Sequence, residues 1–439
     1  MTPLTLGASG FVVLLFMMAS RIPIGLAMLV VGAVGMMLIT GPMGFLNGLK
    51  TLPYEHFSSH TLSIIPLFLL MGQFAAKAGL SRAMFQAAND WLGHRRGGLA
   101  MSTVGACGAF GAICGSSLAT AATMTQVALP EMERQGYRGS LATGALAAGG
   151  TLGILIPPSV VLVIYAILAE QNINEMFAAA LVPGLLAVFS YMLAISLYVR
   201  FFPDSAPSKA KSSRRERWRS LLEVWPGAAI FIVVIGGIYT GIFTPTEAAA
   251  VGAVSTGALA ITKGGLRWNG LRDCVLETAV TSAMIFFIVL GASVFNSFLA
   301  LTQLPQMTAG WIVGLEISPW VVLAGILFCY VVLGCFMDSL SMILLTVPIF
   351  LPIVTGMDFG MPAADVAIWF GILALVVVEV GMITPPVGLN IFIIHSMAPR
   401  IPLTETFKGI LPFLAADLIR IILLVLFPAI SLGFVYLIN

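Results

Sequence analysis

The sequence predicts an all-α polytopic membrane protein built as two inverted-topology repeats, and three observations carry that prediction. First, 59% of the 439 residues are hydrophobic and only 9% charged, with mean hydropathy +1.03, which is more apolar surface than a water-soluble domain can hide. Second, Lys and Arg segregate into alternate loops. Third, three motif pairs recur in the same order in the two halves of the chain.

Roughly ten spans of about 20 residues fit between the polar punctuation marks, leaving no room for a separate soluble domain. Apolar runs predict them near 4–20, 23–40, 58–76, 140–168, 177–200, 224–243, 247–262, 276–300, 366–395 and 410–437. The opening run has no Lys or Arg before it and no small-x-small cleavage site, so it reads as a retained span rather than a removed signal peptide. Two further apolar stretches, 98–130 and 318–353, are each too long for one span and carry a Gly- or Ser-rich polar break near the middle. Both read as re-entrant hairpins.

With the N-terminus outside, all of the 21 Lys and Arg except Lys50 and Arg420 fall on the cytoplasmic side, as the positive-inside rule requires. Arg95, Arg96, Arg134 and Arg138 flank the first hairpin, whereas GLEIS and GMDFG, without a base, flank the second. The hairpins therefore enter from opposite faces, as inverted repeats demand. An odd number of crossings per half, five spans and one hairpin, gives residues 1–200 as the first repeat and 224–439 as the second. Between them lies a basic, Ser-rich linker over 201–223 that includes Lys209 to Arg219. That block reads as a solvated cytoplasmic loop, with a phosphoinositide or nucleic-acid patch as the sharper alternative.

The repeat is visible in the residues. Ser117 in CGSSL and Ser339 in MDSL are 222 positions apart, as are Pro23 in RIPIGLA and Pro245 in FTPTEAA; Pro157 in GILIPP and Pro385 in GMITPP are 228 apart. A single Pro or Gly match would be weak in membrane helices; three in order are not.

Consecutive prolines remove two N–H donors and clash with the preceding turn, so the helices must break at 149–159 and 381–390. Broken helices persist at membrane depth where freed carbonyls coordinate a cation or line a cavity and half-helix N-termini face anions. The predicted tips add oxygens: Ser116, Ser117 and Thr120 in one half, and Asp338, Ser339 and Ser341 in the other. This set suits a hard cation such as Na⁺, and predicts two pseudo-symmetric sites, each between a tip and the broken helix of its own half. The competing reading is close helix packing, which is the preferred one for Gly111/Gly115 and Gly149/Gly153. Glu379 either faces the cavity or locks the broken helix. Glu247 reads as a helix N-terminal carboxylate in Thr-Pro-Thr-Glu. Asp417 and Arg420 read as an i, i+3 pair. Ser159, Asn296 and Asn390 join Thr120 and Ser341 as candidate solute contacts.

Other classes find little support. The cysteines (Cys107, Cys114, Cys274, Cys329, Cys335) form no CxxC pair and the histidines no HExxH or Cys cluster, so neither a disulfide framework nor a transition-metal enzyme is expected. An intramembrane protease would want a second Asp to match Asp338, and no GxxxxGK[ST] occurs for nucleotide hydrolysis. A purely structural scaffold would not need two broken helices. No catalytic residue and no nucleic-acid partner are expected.

Three segments carry a family resemblance: CGSSLATAATMTQVALPEMERQGYRGSLATGALAAGGTLGILIPPS, GIYTGIFTPTEAAAVGAV, and DSLSMILLTVPIFLPIV with GMITPPVGLNIFI. Together they are similar to the large membrane subunit of tripartite ATP-independent periplasmic (TRAP) transporters, over nearly the whole chain. The resemblance implies a Na⁺-driven, elevator-type importer in a bacterial inner membrane, its termini periplasmic. It also implies two partners, a small four-helix membrane subunit, expected here as a separate chain, and a periplasmic solute-binding protein that delivers an organic acid. Carried over by position, the cation sites fall at Ser116, Ser117, Gly153 and Pro157, and at Asp338, Ser339, Thr384 and Gly388. A stand-alone divalent-anion/sodium-type permease, needing no binding protein, is the second expectation.

Overall fold

The computed structural model describes every residue except Met1, Lys209, Glu316 and Asn439. Lys209 of the basic linker, Glu316 before the second hairpin and the side chain of His56 thus lie outside the described residues. The first half runs α1 (Pro3–Ala19), α2 (Ile24–Phe57), α3 (Ile64–Lys77), α4 (Leu80–Leu92), α5 (Gly98–Cys114), α6 (Ser117–Arg134), α7 (Gly139–Leu155), α8 (Val160–Leu168) and α9 (Ile173–Phe201). The second runs α10 (Arg214–Tyr239), α11 (Pro245–Thr262), α12 (Trp268–Thr302), α13 (Leu304–Gly314), α14 (Pro319–Gly334), α15 (Ser339–Thr355), α16 (Ala363–Gly381), α17 (Leu389–Met397), α18 (Leu403–Leu426) and α19 (Ala429–Ile438). Among the described residues there is no strand, and six helices are long and apolar enough to cross a membrane. Two bent pairs pass the same test, His60–Lys77 with α4 at 62° and α7 with α8 at 47°.

Both predicted hairpins are helix–turn–helix units, α5–α6 and α14–α15, and both predicted double-proline breaks separate two helices, α7 from α8 and α16 from α17. The helix starts obey local chemistry. Thr244 caps α11 in a capping box with Glu247, behind Pro245 at the first helical position, so Glu247 is the N-terminal carboxylate its sequence suggested.

Other boundaries differ from the sequence prediction. The second span does not stop near residue 40. Gly41, at φ +77°, kinks α2, and the helix resumes at Pro42 and runs to Phe57. Residues 214–223 of the expected linker are helical, because Ser213 and Glu216 form a second capping box that starts α10 at Arg214. The last span, expected as 410–437, is two helices separated at Phe427 and Pro428, where the missing N–H ends α18. α4 and α13 were not anticipated: both are too short to span, and α4 carries Ser, Arg, Gln, Asn and Asp among its apolar residues.

The helices pack as two groups that draw on both halves of the chain. In one, α2 lies along α12 and α3 along α11; in the other, α7 touches α5, α6, α9 and α18, while α16 touches α14, α15 and α18. The short helices bridge them, α4 between α10 and α5, and α13 between α1 and α15. α7 is buried from Ser140 to Leu155 and α16 from Val366 to Gly381, so these two helices form the centre of the second group.

α7 can be that centre because its small residues let backbones meet. A Cβ on Gly409 of α18 would lie 1.8 Å from the Ser140 carbonyl oxygen, and one on Gly144 2.3 Å from the Gly409 oxygen. Such contact replaces the hydrophobic drive that helices lose in lipid. Gly409→Ala is therefore expected to lower stability by about 1–3 kcal/mol, the usual cost of overpacking. Gly433→Ala, at a position with nothing within 4 Å, should leave it unchanged. Thermal unfolding of the two variants in detergent checks this.

Candidate functional site at the meeting of the hairpin tips

Each hairpin tip rests on the broken helix of its own half. Gly115 ends α5 at φ +66°, a conformation glycine adopts without strain, and a Cβ there would meet the Pro158 carbonyl oxygen at 3.1 Å. At the other tip, the Gly388 N–H donates to the Cys335 carbonyl at 3.3 Å, and the Cys335 thiol lies 3.5 Å from the Pro385 carbonyl. Both breaks contain a cis peptide, Pro157–Pro158 and Pro385–Pro386.

The hairpin helices cross the broken helices glycine on glycine. A Cβ on Gly111 would be 2.5 Å from Gly153 Cα, and one on Gly381 2.7 Å from Gly334 Cα. The packing reading of Gly111 and Gly149 thus holds, with Gly149 set against Cys107. Gly153 does more, because its missing side chain makes room for the Ser116 carbonyl oxygen and Thr120 Oγ1, each 2.6 Å from where a Cβ would be. The first tip is thus packed directly onto bare backbone of the broken helix, with a carbonyl and a hydroxyl oxygen at the contact.

The two tips also face each other. Together with Val160 and Val161 of α8, Met382 after α16, Leu69 of α3, and Thr281, Met284 and Ile285 of α12, they enclose a cavity of about 180 Å³. One wall therefore comes from each packed group. Gly115 to Leu118 and Asp338 to Leu340 line it, and among the described residues Asp338 is its only ionisable lining residue. Three helix N-termini, those of α6, α8 and α15, reach this wall, and such termini carry partial positive charge and free N–H groups.

The predicted site residues divide accordingly. Ser116, Ser117, Asp338 and Ser339 are on the wall. Ser116 and Asp338 also cap their helices, accepting from the Ala119 N–H at 3.4 Å and the Ser341 N–H at 3.1 Å. Gly153 and Pro157 lie behind the first tip and Gly388 behind the second, while the Thr384 hydroxyl donates to the Val380 carbonyl at 2.6 Å. None of Thr120, Ser159, Ser341, Asn390 and Asn296 lines the cavity. Ser159 caps α8, Ser341 Oγ is buried without a partner, and Asn390 is fully buried with both amide atoms unpartnered. Asn296 sits on α12 with its Oδ1 unpartnered.

Glu379 resolves its two readings in favour of a lock. Its Oε1 accepts from Ser339 Oγ at 2.6 Å and lies 3.5 Å from Ser117 Oγ, so one carboxylate oxygen joins both tips. Asp417 and Arg420 form the expected i, i+3 pair at 2.7 Å, 0% and 1% exposed. The sequence did not disclose Tyr191, whose hydroxyl donates to Asp417 at 3.0 Å and lies 3.2 Å from Thr151 Oγ1 on α7. Nor did it disclose Thr281, whose span carries no motif.

Comparison with known proteins agrees with this architecture. A family model described as tripartite ATP-independent periplasmic transporter, DctM component, matches residues 11–430. The chain belongs to that family. The C4-dicarboxylate TRAP transporter large permease protein DctM of Pseudomonas aeruginosa is 38% identical over 381 residues, 87% of each chain. The sialic acid TRAP transporter large permease protein SiaM of Vibrio cholerae is 31% identical over 96% of each. The isethionate TRAP transporter permease protein DctMQ of Oleidesulfovibrio alaskensis is 32% identical over 87% of this chain and 59% of its own length. The crystal structure of the YdaH transporter of Alcanivorax borkumensis has the same fold, with TM-score 0.58 over 88% of this chain and 89% of the other at 15% identity.

In this DctM-family subunit, tips joined through one carboxylate oxygen should be close enough to bridge. A Ser117→Cys/Ser339→Cys pair, in a background without the native cysteines, is expected to bind Cd²⁺ and so be protected from maleimide labelling. Neither single cysteine should be protected, and mass-shift labelling in membranes reads the difference.

Proposed function

We propose that this subunit carries out Na⁺-coupled import of a small organic anion, handed over by a periplasmic solute-binding protein, beside a separate small membrane subunit. The observation that carries the proposal is the meeting of two hairpin tips, each seated on a broken helix, around one small, largely apolar cavity into which Ser116, Ser117, Thr281, Asp338, Ser339 and three helix N-termini bring polar groups. Na⁺ is the coupling substrate. The donors are oxygens rather than thiolates or imidazoles, the ligand type that suits a hard cation. On this reading Ser116, Ser117, Gly153 and Pro157 form one cation site, and Asp338, Ser339, Thr384 and Gly388 the other.

The same reading makes residues 1–200 and 224–439 inverted repeats in a bacterial inner membrane, with both termini periplasmic and 201–223 cytoplasmic. Helix order supports it. Each half presents a short bridging helix, a hairpin, a broken helix and a long final segment in that sequence. Elevator movement would carry the group centred on α7 and α16 past the group containing α2, α3, α11 and α12, because the cavity lies on the seam between them.

The solute is a carboxylate or a related anion. A 180 Å³ cavity is below the several hundred Å³ typical of drug-sized ligands, and recognition by helix termini favours an anionic head without demanding one particular acid. The names of the relatives support this class, covering a C4-dicarboxylate and sialic acid. The name DctMQ, on a relative longer than this chain, supports a small membrane component working with the large one. A stand-alone permease is disfavoured by membership of a tripartite family.

Uptake into proteoliposomes holding this chain, the small subunit and the binding protein is expected to require all three proteins and an inward Na⁺ gradient, and to fail when K⁺ replaces Na⁺. Asp338→Ala and Ser117→Ala should reduce it at least tenfold. Uptake by this chain alone, or at the same rate without Na⁺, would sink the proposal.

A further inference from the structure

Both hairpin tips converge on Glu379, a residue that belongs to neither cation site described above. Its side chain is 0% exposed, on the stretch of α16 that is buried from Val366 to Gly381. The Oε1 atom is engaged by Ser339 and Ser117, whereas Oε2 is buried with no hydrogen-bond partner.

Among the described residues, the carboxylate and basic side chains buried in this second helix group are Glu379, Asp417 and Arg420. The single base is already committed. Arg420 lies 2.7 Å from Asp417 and stacks over the Tyr191 ring at 5.4 Å. Among the described residues, no Lys, Arg or His nitrogen comes within 4.0 Å of Glu379. Two acids thus share one base, and an ionised carboxylate held in a low-dielectric core without a cation is unfavourable by several kcal/mol.

The atoms around Glu379 can accept that missing charge. Hydroxyls rotate between donating to a carboxylate and offering lone pairs to a cation, and those of Ser117 and Ser339 already point at Oε1. Ser117, Ser339 and Met382 line the cavity, so the hydroxyls that meet Glu379 also border the space proposed for the solute. We propose that Glu379 is the anionic ligand of a third Na⁺ site between the two tips, completed by the Ser117 and Ser339 hydroxyls. This rests on the Na⁺-coupled reading above and adds one ion to it. A cation here draws both tips onto one carboxylate, which couples occupancy in one half to the other.

The test is the Na⁺:solute coupling ratio, measured from reversal potentials in proteoliposomes holding all three proteins. A purely structural role would not move this thermodynamic quantity. Glu379→Gln keeps the shape and an acceptor but removes the charge, and is expected to lower the ratio by one Na⁺ per solute. Glu379→Asp keeps the charge and should keep the ratio, with weaker Na⁺ dependence. An unchanged ratio in Glu379→Gln would overturn the site, leaving the carboxylate as a clasp. Wild-type uptake that ignores Na⁺ would instead overturn the underlying reading. Should Glu379→Gln fold but not transport, Na⁺-dependent thermal stabilisation of the purified protein decides: its Hill coefficient falls by about one if the site exists, and an identical curve overturns it.

Discussion

At membrane depth a backbone N–H or carbonyl that leaves a helix has no water to turn to, and must be satisfied by the protein itself. Four interruptions in this chain live under that constraint: the breaks at Pro157–Pro158 and Pro385–Pro386, and the tips at Gly115–Ser116 and Cys335–Asp338. In the second half a tip and a break meet directly, the Gly388 N–H being taken by the Cys335 carbonyl, while Asp338 and Ser116 cap the helices that restart after each tip and Ser159 caps α8. In the first half the tip is held on its break by close packing of Gly115 against the Pro158 carbonyl.

Pairing at that range requires bare backbone, and this explains the distribution of glycine. Gly111 on Gly153 and Gly334 on Gly381 bring the helices to contact where a methyl group would collide with Cα. The small-residue helix α7 carries the same economy of space to α18 through Gly144 and Gly409. Where the helices face outward the composition reverses, and Phe189, Leu193, Leu418, Ile419 and Ile422 stand exposed on α9 and α18, as side chains in contact with lipid do.

How legible this was in the sequence follows from the same physics. Double prolines, a Gly-Ser-Ser tip and a Thr-Pro-Thr-Glu start impose local geometry in any context, so hairpins, breaks and caps could be placed from residues alone. The resemblance to a transporter family rested on those segments and agrees with the family to which the chain belongs. Elements decided by tertiary partners were not legible. α4 and α13 are too short and mixed to announce themselves, and become helices of consequence only between the two packed groups. The run from Gly41 to Phe57 looked like loop because Gly41, Pro42 and Pro53 interrupt it, yet the chain absorbs them as a kink within α2. Position, not residue type, also separated the candidate oxygens: Ser117 and Ser339 reach the cavity, whereas Thr120, three residues further along α6, and Ser341, two further along α15, are buried away from it. Sequence supplies the periodicity, but not which face of a short helix the partner leaves open.

The elevator movement proposed above would ask that tips, breaks and the helices behind them travel as one body, and a buried polar network ties part of that group. Arg420 and Asp417 on α18 reach Tyr191 on α9, and Tyr191 reaches Thr151 on α7 just ahead of the first break. On the opposite side Glu379 holds both tips. The ion pair itself lies within α18, and it is the Tyr191 hydroxyl, bonded to Asp417 on one side and set against Thr151 on the other, that ties α18, α9 and α7 together. Strong polar contacts lie within the group that bears the tips, and weak dispersive ones lie along the cavity wall facing it. That division of forces is the one the proposed elevator movement would require of its two groups.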